Sequence, residues 1–430
     1  MKGEKRYNLL IAGGGTAGTL CAIAAARSGM KTAVIERNAY LGGMAAGAGL
    51  TEMNAAGFQG KPLYKGIVDE IFREMIDSGH AQYHFAVPMS SNPDVKVDRL
   101  RYDPEILKII LEEKALSAGV EFYYETEVCA GSEDADKCQV TVRSRYETFE
   151  LESDYLVDAT GNADLVRMMG GETVREEQGK LLTATLMFRL SGIDIERLQA
   201  FLQSGKLSAV IQKGYQEGAL KGRILAFTPI PGSPDVSLNV TRADCDYEDA
   251  RAYSQAAAYA RSQILPVCRF IKENVPGTEN CYISSISPFL GIRDARRIRG
   301  KYMLTIEDLE NMTDFEDSIA VGCYPMDIHD PVTKAVIWKM LPGVYHIPYR
   351  SVVPEKLHRT IVAGKCLSAE KKAFGAVRVM PIMMNVGESV GYAAALAKKE
   401  GKCLDELDAG ILRKWLAEKY ETVRQEDGHE

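Results

Sequence analysis

The chain has 430 residues and a net charge of −7, so it offers no basic field for nucleic acid or an anionic membrane. Its length favours two or three domains, and 46% apolar with 26% charged residues is typical of a soluble globular protein. The nine cysteines include no CxxC pair and no metal-ligand spacing, which argues against a dithiol-exchange centre, an iron–sulfur ligand run and a metal site.

The first predicted element is an apolar strand over Tyr7–Ala12. Basic residues precede it, but the apolar stretch is short, and glycines follow where a signal peptide would continue. No apolar run reaches the roughly 18 residues that a membrane-spanning helix requires. We therefore expect a cytoplasmic protein with reduced cysteines that binds neither membrane nor nucleic acid.

A glycine-rich turn follows this strand and leads into an alanine-rich helix. Gly13, Gly15 and Gly18 form a GxGxxG pattern, and a second strand, Thr32–Ile35, ends on Glu36. In such a βαβ unit the glycines allow close approach of a pyrophosphate, and the helix amides face its charge. The acid accepts hydrogen bonds from a ribose and disfavours a 2′-phosphate. The unit predicts dinucleotide binding, with FAD and NAD both open.

The following elements continue a mixed α/β pattern. Helices are predicted over 63–79 and over Asp103–Ala118, where Asp103 is the N-cap. The predicted strands are Val120–Tyr124, then Cys138–Ser144 and Glu147–Leu151, which complete a β-meander, and then a buried strand from Asp154 to Thr160.

The pattern changes near residue 172. Alternating stretches at Ala184–Leu190 and Asp235–Val240 predict antiparallel strands, and helical runs lie around 195–204 and 245–274. A strand into a glycine turn returns at Thr360–Gly364, followed by a helix over Asn385–Lys399. This second strand–glycine–helix element favours a flavin, because the isoalloxazine ring extends far from the adenosine and needs walls from elsewhere in the chain. Helix amides near Gly387 would then face the pyrimidine edge of the ring.

We predict an α/β fold with a discontinuous, Rossmann-like FAD-binding domain over 1–171 and 346–430. This domain contains a parallel sheet with a β-meander. An α+β substrate domain over 172–345 is inserted into it.

Longer segments carry a family resemblance. GGGTAGTLCAIAAARSGMKTAVIERNAYLGG resembles the N-terminus of glutathione-reductase-type FAD proteins. The segments YLVDATGNADLV, FLGIRDARRIRGKYMLTIEDL, YPMDIHDP, HIPYRSVVP and IVAGKCLSAEKKAFGAVRVMPIMMNVGESVGYAAALA are similar to one branch of that group. This branch is a family of FAD-dependent oxidoreductases distantly similar to succinate dehydrogenase and fumarate reductase flavoproteins. The resemblance covers nearly the whole chain.

The resemblance implies FAD as the cofactor and a set of residues that would bind it. In the first part of the chain these are Gly13, Gly15, Thr16, Ala17, Gly18, Glu36, Arg37, Gly42, Gly43, Met44 and Val128, the last through its backbone to adenine. Further along they are Ala159, Thr160, Gly161, Asp164, Gly364, Lys365, Arg378, Pro381 and Gly387. Lys365 departs from the family, which often has arginine there.

His329 is the first candidate for a catalytic base, because imidazole titrates near neutral pH and Asp327 or Asp330 could orient it. His346 is the second candidate. Arg293, Arg350 and Arg378 could clamp an acidic substrate or the flavin phosphates. The alternative for His329 is a capping histidine in a turn, and a solvated basic cluster is the favoured interpretation of Arg296, Arg297 and Arg299.

The predicted function is hydride transfer between bound FAD and a small polar metabolite, namely a hydroxy acid, polyol or sugar derivative. An NAD-linked dehydrogenase and a non-catalytic flavin-binding protein are the alternatives. The sequence leaves open the substrate, the electron acceptor and the oligomeric state.

Overall fold

A computed structural model describes residues 6–177, 180–330, 332–333 and 335–426, with side chains to residue 420. Its strands are β1 (Arg6–Ala12), β2 (Thr32–Ile35), β3 (Glu52–Asn54), β4 (Gly57–Phe58), β5 (Lys61–Pro62), β6 (Ala81–Met89), β7 (Asn92–Tyr102), β8 (Glu121–Tyr123), β9 (Glu127–Glu133), β10 (Cys138–Arg143), β11 (Thr148–Asp158), β12 (Thr173–Val174), β13 (Phe188–Ser191), β14 (Ala226–Pro229), β15 (Val236–Asn239), β16 (Tyr282–Ile286), β17 (Arg297–Ile298), β18 (Ser318–Gly322), β19 (Met326–His329), β20 (Val336–Lys339), β21 (Tyr345–Pro348) and β22 (Thr360–Val362).

The α-helices are α1 (Thr16–Arg27), α2 (Gly43–Gly47), α3 (Ile67–Asp77), α4 (Pro104–Ser117), α5 (Asp164–Met168), α6 (Ile195–Gln203), α7 (Leu207–Gln216), α8 (Ala250–Ser262), α9 (Ile264–Asn274), α10 (Ile306–Glu310), α11 (Lys371–Val377), α12 (Met380–Glu400) and α13 (Ala409–Glu426). Two short 3-10 helices cover Tyr349–Ser351 and Leu404–Glu406. Within the described ranges, no helix combines the length and apolarity that crossing a membrane would need.

The central sheet has seven strands in the order β8-β2-β1-β11-β10-β9, with β22 also beside β11. Strand β1 pairs in parallel with both β2 and β11, and β22 pairs in parallel with the carboxyl end of β11. The strands β10 and β9 continue the sheet in antiparallel fashion. This arrangement confirms the predicted α/β class with a parallel sheet and a β-meander.

Two strand predictions were wrong in detail. The segments predicted separately at 147–151 and 154–160 form the single strand β11, which pairs with β10 along its first half and with β1 further on. Strand β8 lies at the opposite edge of the sheet, beside β2. It is therefore not part of the meander, which consists of β9, β10 and β11.

A second sheet, in the order β14-β15-β13-β16, is covered by helices α6 to α9 and has its own apolar core between Ala184 and Leu290. Strands β13 and β15 are antiparallel, as their alternating sequences predict. The buried apolar residues between Ile298 and Tyr349 pack instead into the core of the first sheet. The domain boundaries at 172 and 345 stay a prediction.

Helix α12 lies in near contact with α1. A Cβ at Gly387 would come 2.1 Å from the carbonyl oxygen of Ala17, and one at Gly391 would come 2.3 Å from that of Cys21. The helix begins at Met380, with Pro381 in its first turn, and not at the predicted Asn385. Gly387 therefore lies inside the helix, where its backbone packs against another helix and offers no free amide, so its predicted place at the edge of a ligand is corrected.

We expect Gly387→Ala to lower the free energy of unfolding by about 2 kcal/mol or more, because the added methyl group overpacks the α1–α12 contact. Urea denaturation of the apoprotein measures this change. Gly410→Ala in helix α13 is the matched control, since its Cβ would have ordinary contact at 3.4 Å. Equal stability of the two variants would contradict this view of the helix pair.

Candidate functional site

A cavity of about 1550 Å³, called the central cavity below, runs from the carboxyl ends of the parallel strands to the second sheet. Ala12, Ile35 and Ala159, at or next to the ends of β1, β2 and β11, line one half of it. Thr228 and Asn239 of the second sheet line the other half. Ligands of open α/β sheets bind outside the carboxyl ends of the strands, so the cavity lies where such a ligand is expected.

The glycine turn forms an open cradle at one end of this cavity. Gly13 has a φ of 106°, and a Cβ there would lie 2.5 Å from the carbonyl oxygen of Ala159. A Cβ at Gly15 would instead meet no atom within 4 Å. Gly15 is the N-cap of α1 and supplies no side-chain cap, so the first amides of the helix are left for an anionic ligand.

Glu36 fixes the shape of this cradle. Its carboxylate accepts a hydrogen bond of 2.7 Å from the backbone N–H of Gly14. It also accepts bonds of 2.8 and 2.6 Å from the backbone and side-chain amides of Asn38. The Gly42–Gly43 turn closes on the same loop, since a Cβ at Gly43 would lie 2.9 Å from the Cα of Gly15. Glu36 thus organises the loop and still lines the cavity.

A second turn, after β11, is held by the buried Asp158. Its carboxylate accepts bonds of 3.0 and 2.7 Å from the backbone and hydroxyl of Thr160, and one of 2.9 Å from the amide of Val166. Burial raises the pKa of Asp158 above its ordinary value, although these hydrogen bonds oppose the rise. The carboxylate fixes the backbone so that Thr160 and Gly161 line the cavity.

Lys365 joins this turn to the C-terminal part of the chain. Its Nζ donates to the carbonyl oxygen of Gly161 at 2.7 Å and to Oδ1 of Asn162 at 3.2 Å. Burial lowers the pKa of Lys365 to about 8. The side chain therefore places a cation in the cavity wall that makes neutral hydrogen bonds and no ion pair within the described ranges.

His329, on β19, lines the far half of the cavity. Its Nε2 lies 3.2 Å from Oδ1 of Asp327, although Oδ1 makes no aligned hydrogen bond. Burial and the nearby charge of Arg293 lower the pKa of His329 to about 3, so the imidazole is neutral near pH 7. The other oxygen of Asp327 accepts from the hydroxyl of Tyr324 at 3.1 Å and lies 3.4 Å from Nη2 of Arg378.

Arg293 and Arg242 converge beside His329. Nη1 of Arg293 donates to Oγ1 of Thr185 at 2.8 Å, and Nη1 of Arg242 donates to the same oxygen at 2.7 Å. Arg293 also donates to the carbonyl oxygen of Thr183 at 2.6 Å. Among the described residues, neither guanidinium has a carboxylate at ion-pair distance. Burial lowers the pKa of Arg293 to about 10 and that of Arg242 well below its ordinary value.

Most of the residues predicted from sequence lie around this one cavity. Those that line it are Gly13, Gly15, Thr16, Ala17, Glu36, Arg37, Gly43, Met44, Val128, Ala159, Thr160, Gly161, Asp164, Arg293, His329, Gly364, Lys365 and Arg378. Those outside its wall are Gly18, Gly42, His346, Arg350, Pro381 and Gly387. Contact of these residues with FAD stays a prediction, apart from the amide of Gly387, which lies inside α12.

Two of the predicted catalytic residues, Arg350 and His346, lie outside the wall of the cavity that His329 lines. Arg350 has a half-exposed side chain whose Nε lies 3.0 Å from Oδ2 of Asp317. His346 lies on β21, with its Nδ1 3.0 Å from the hydroxyl of Ser318. His346 lies within β21 and Arg350 two residues after its end, and neither side chain lines the cavity. Their proposed part in catalysis stays a prediction.

The prediction that Arg296, Arg297 and Arg299 form a solvated basic cluster was wrong for the first two. Arg296 and Arg297 are buried, with 7% and 2% of their surface exposed, and only Arg299 of the three is exposed. Nη1 of Arg296 lies 2.6 Å from Oε1 of Glu248, and Nη2 of Arg297 lies 2.7 Å from Oε1 of Glu176. These ion pairs are structural, because they compensate charges inside the fold.

Sequence reasoning missed Asp158, Arg242 and Arg101, the last of which lines the cavity from β7. Asp158 carried a weak signal, since an acid that ends an apolar strand needs hydrogen-bond donors. Arg242 directly follows the apolar segment that contains β15, which is an unusual place for a charge. No motif marked Arg101.

A family model described as FAD dependent oxidoreductase matches residues 8–416. Among solved structures, a p-nitrophenol 4-monooxygenase from Pseudomonas putida DLL-E4 is 11% identical, with a TM-score of 0.54 over 98% of this chain and 89% of that chain. A flavin-dependent brominase is 14% identical, with a TM-score of 0.50 over 98% and 85%. A geranylgeranyl bacteriochlorophyll reductase-like protein from Thermoplasma acidophilum is 13% identical, with a TM-score of 0.49 over 99% and 84%. The search of curated proteins gave no match.

We expect Gly15→Ala to weaken FAD binding about tenfold or more while leaving the stability of the apoprotein unchanged. The added Cβ meets no protein atom within 4 Å, so it occupies only the space in which a pyrophosphate would approach the backbone. Fluorescence titration of apoprotein with FAD and a thermal melt measure the two effects. Gly18→Ala is the control that destabilises the fold itself, because its Cβ would lie 2.0 Å from the carbonyl oxygen of Gly13. Unchanged FAD affinity in Gly15→Ala would contradict the assignment of the cradle.

Proposed function

The chain belongs to the FAD-dependent oxidoreductase family, and from that premise we propose that it oxidises a small anionic metabolite, favouring a hydroxy acid, beside FAD in the central cavity. When bound, the flavin supplies the acceptor for a hydride. The similarity to succinate dehydrogenase and fumarate reductase flavoproteins forms part of this proposal and rests on the sequence segments that carry it.

The central cavity fits this cofactor together with a second small molecule. Its volume of about 1550 Å³ exceeds the roughly 300–1,000 Å³ of a usual single-ligand pocket. Gly13 and Gly15 would hold the pyrophosphate at the start of α1, and Glu36 would face the ribose. The turn at Gly161 and the segment at Gly364 and Lys365 would form the next part of the wall.

The uncompensated charge of Arg293 and Arg242 carries the proposal. A buried cation without a counter-charge is costly, and a bound carboxylate would offset that cost. Arg293 lines the cavity directly, whereas Arg242 acts behind it through Thr185. These charges favour an acid over a polyol or a neutral sugar.

His329 would receive the proton. In the oxidation of a hydroxy acid, the carbon loses a hydride to the cofactor and the hydroxyl loses a proton to a base. The neutral imidazole can accept that proton, and with Nε2 facing Asp327, Nδ1 is the nitrogen left for the substrate. Asp327, whose burial is opposed by the nearby charge of Arg378 so that it stays ionised, would stabilise the resulting imidazolium.

Anaerobic reduction of the bound flavin tests the proposed function. A panel of hydroxy acids, polyols, neutral sugars and reduced nicotinamides is mixed with the FAD-loaded protein, and bleaching is followed near 450 nm. We expect hydroxy acids to bleach the flavin, and Arg293→Gln to raise their apparent Kd about tenfold or more. Bleaching by polyols or nicotinamides alone would contradict the proposal, and a failure of every compound would favour a non-catalytic flavin protein.

The lowered pKa of His329 predicts an unusual pH profile. An ordinary histidine becomes protonated as the pH falls through about 6.5. With a pKa of about 3, the imidazole of His329 stays unprotonated at that pH. We expect kcat/KM to show no inflection near pH 6.5 and to fall only below about pH 4. His329→Asn should lower the rate constant of flavin reduction by about 10²- to 10⁴-fold. A bell-shaped profile with an acid limb near 6.5 that this substitution leaves unchanged would exclude His329 as the base.

A further inference from the structure

A second pair of arginines faces the central cavity from another wall. Arg99 and Arg101 are two residues apart on β7, so both project from the same face of that strand. Both line the cavity, next to Glu52 and Asn54 of the paired strand β3. They lie on a different sheet from Asn239 of β15, whose Oδ1 accepts a hydrogen bond from Arg242.

The two arginines differ in their partners. Nη1 of Arg99 lies 2.9 and 3.0 Å from the two carboxylate oxygens of Glu52, and its Nη2 faces Val87 and Met89. The side chain of Arg101 makes no hydrogen bond or ion pair within the described part of the chain, and its Nε is buried without a partner. Glu52 therefore forms its ion pair with Arg99 and attracts Arg101 only from beyond ion-pair distance.

The surroundings of Arg101 also contain a buried donor without a partner and an excess of positive charge. Nε of Arg99, a hydrogen-bond donor, is also buried without a partner. Burial lowers the pKa of Arg101, and burial together with the charges of Arg101 and Arg99 lowers the pKa of His84. A cavity wall with an excess of positive charge and free donors is built to accept an acidic group.

We propose that Arg101, with Arg99 beside it, binds a second acidic group of the metabolite, so that the substrate is a small molecule with two separate acidic groups. One group contacts Arg293 near His329, and the other contacts Arg101 on β7. This inference rests on the proposed function. It adds that the cavity wall formed by β7 selects for a second charge on the substrate.

Calorimetric titration of the FAD-loaded protein tests the inference without turnover. The probes are unbranched dicarboxylates of three to six carbons, each compared with the monocarboxylate of equal length. We expect the best dicarboxylate to bind about tenfold or more tighter than its monocarboxylate partner, as a charge-assisted contact provides. In Arg101→Gln this advantage should disappear, while monocarboxylate affinity and FAD content stay as in wild type.

The control variant is Arg145→Gln, which removes an exposed arginine and should change no affinity. Because the Arg101 side chain makes no hydrogen bond or ion pair with the described residues, Arg101→Gln should also leave the melting temperature of the free holoprotein unlowered. Equal binding of both acids to wild type, or equal weakening of both by Arg101→Gln, would overturn the second site and leave the proposed function standing. Loss of FAD from Arg101→Gln would overturn it too, and absence of binding by any acid would overturn both proposals.

Discussion

Helix α12 lies so close to α1 that no side chain fits between Gly387 and Ala17 or between Gly391 and Cys21. This contact sets the start of α12, at Met380, beside the glycine turn at the start of α1. The rest of the site is then positioned from α12 and its neighbour α11. Asn385 accepts a hydrogen bond from the amide of Val321 on β18.

Helix α11 continues this arrangement, since a Cβ at Gly375 would lie 3.0 Å from the carbonyl oxygen of Asp327. The close packing of small residues thus brings β19, and with it His329, into the same cavity as the nucleotide cradle. A βαβ unit at one end of the chain and two helices at the other form one site, because their backbones touch.

Some arginines at the cavity lack the carboxylate partners that buried arginines have elsewhere in the fold. Buried arginines such as Arg296 and Arg297 have carboxylate partners at 2.6 and 2.7 Å. At the cavity, Arg99 and Arg378 lie 2.9 and 3.4 Å from Glu52 and Asp327. Arg293 and Arg101, and Arg242 behind Arg293, have no carboxylate at ion-pair distance among the described residues. Because a buried charge without such a partner is costly, this contrast supports the proposal that an anion binds in the cavity.

The sequence predicted what depends on local pattern. The unit from Tyr7 to Glu36, the capped helix at Asp103 and the α/β class are all encoded by spacing, glycines and caps within short segments. His329 and Arg293 were found through the segments that surround them. What the sequence could not predict depends on the packing of residues that are distant in the chain. Arg242 and Arg101 stand out only because no carboxylate among the described residues lies at ion-pair distance from them.

The same limit explains where the sequence and the structure differ. His346 and Arg350 belong to family-like segments, but neither lines the cavity, and their part in catalysis stays a prediction. The start of α12 was misplaced because Gly387 and Gly391 resemble a helix terminus, whereas their role is close contact with α1.

One cavity is proposed to hold both FAD and a hydroxy acid whose hydroxyl proton passes to His329. A crystal structure of the FAD-loaded protein soaked with a dicarboxylate would show where both molecules bind. We expect the pyrophosphate at the amides of Gly15 and Thr16, with a carboxylate within hydrogen-bond distance of Arg293. A pyrophosphate bound elsewhere, or a cavity near Arg293 filled by the cofactor's own phosphates, would contradict it.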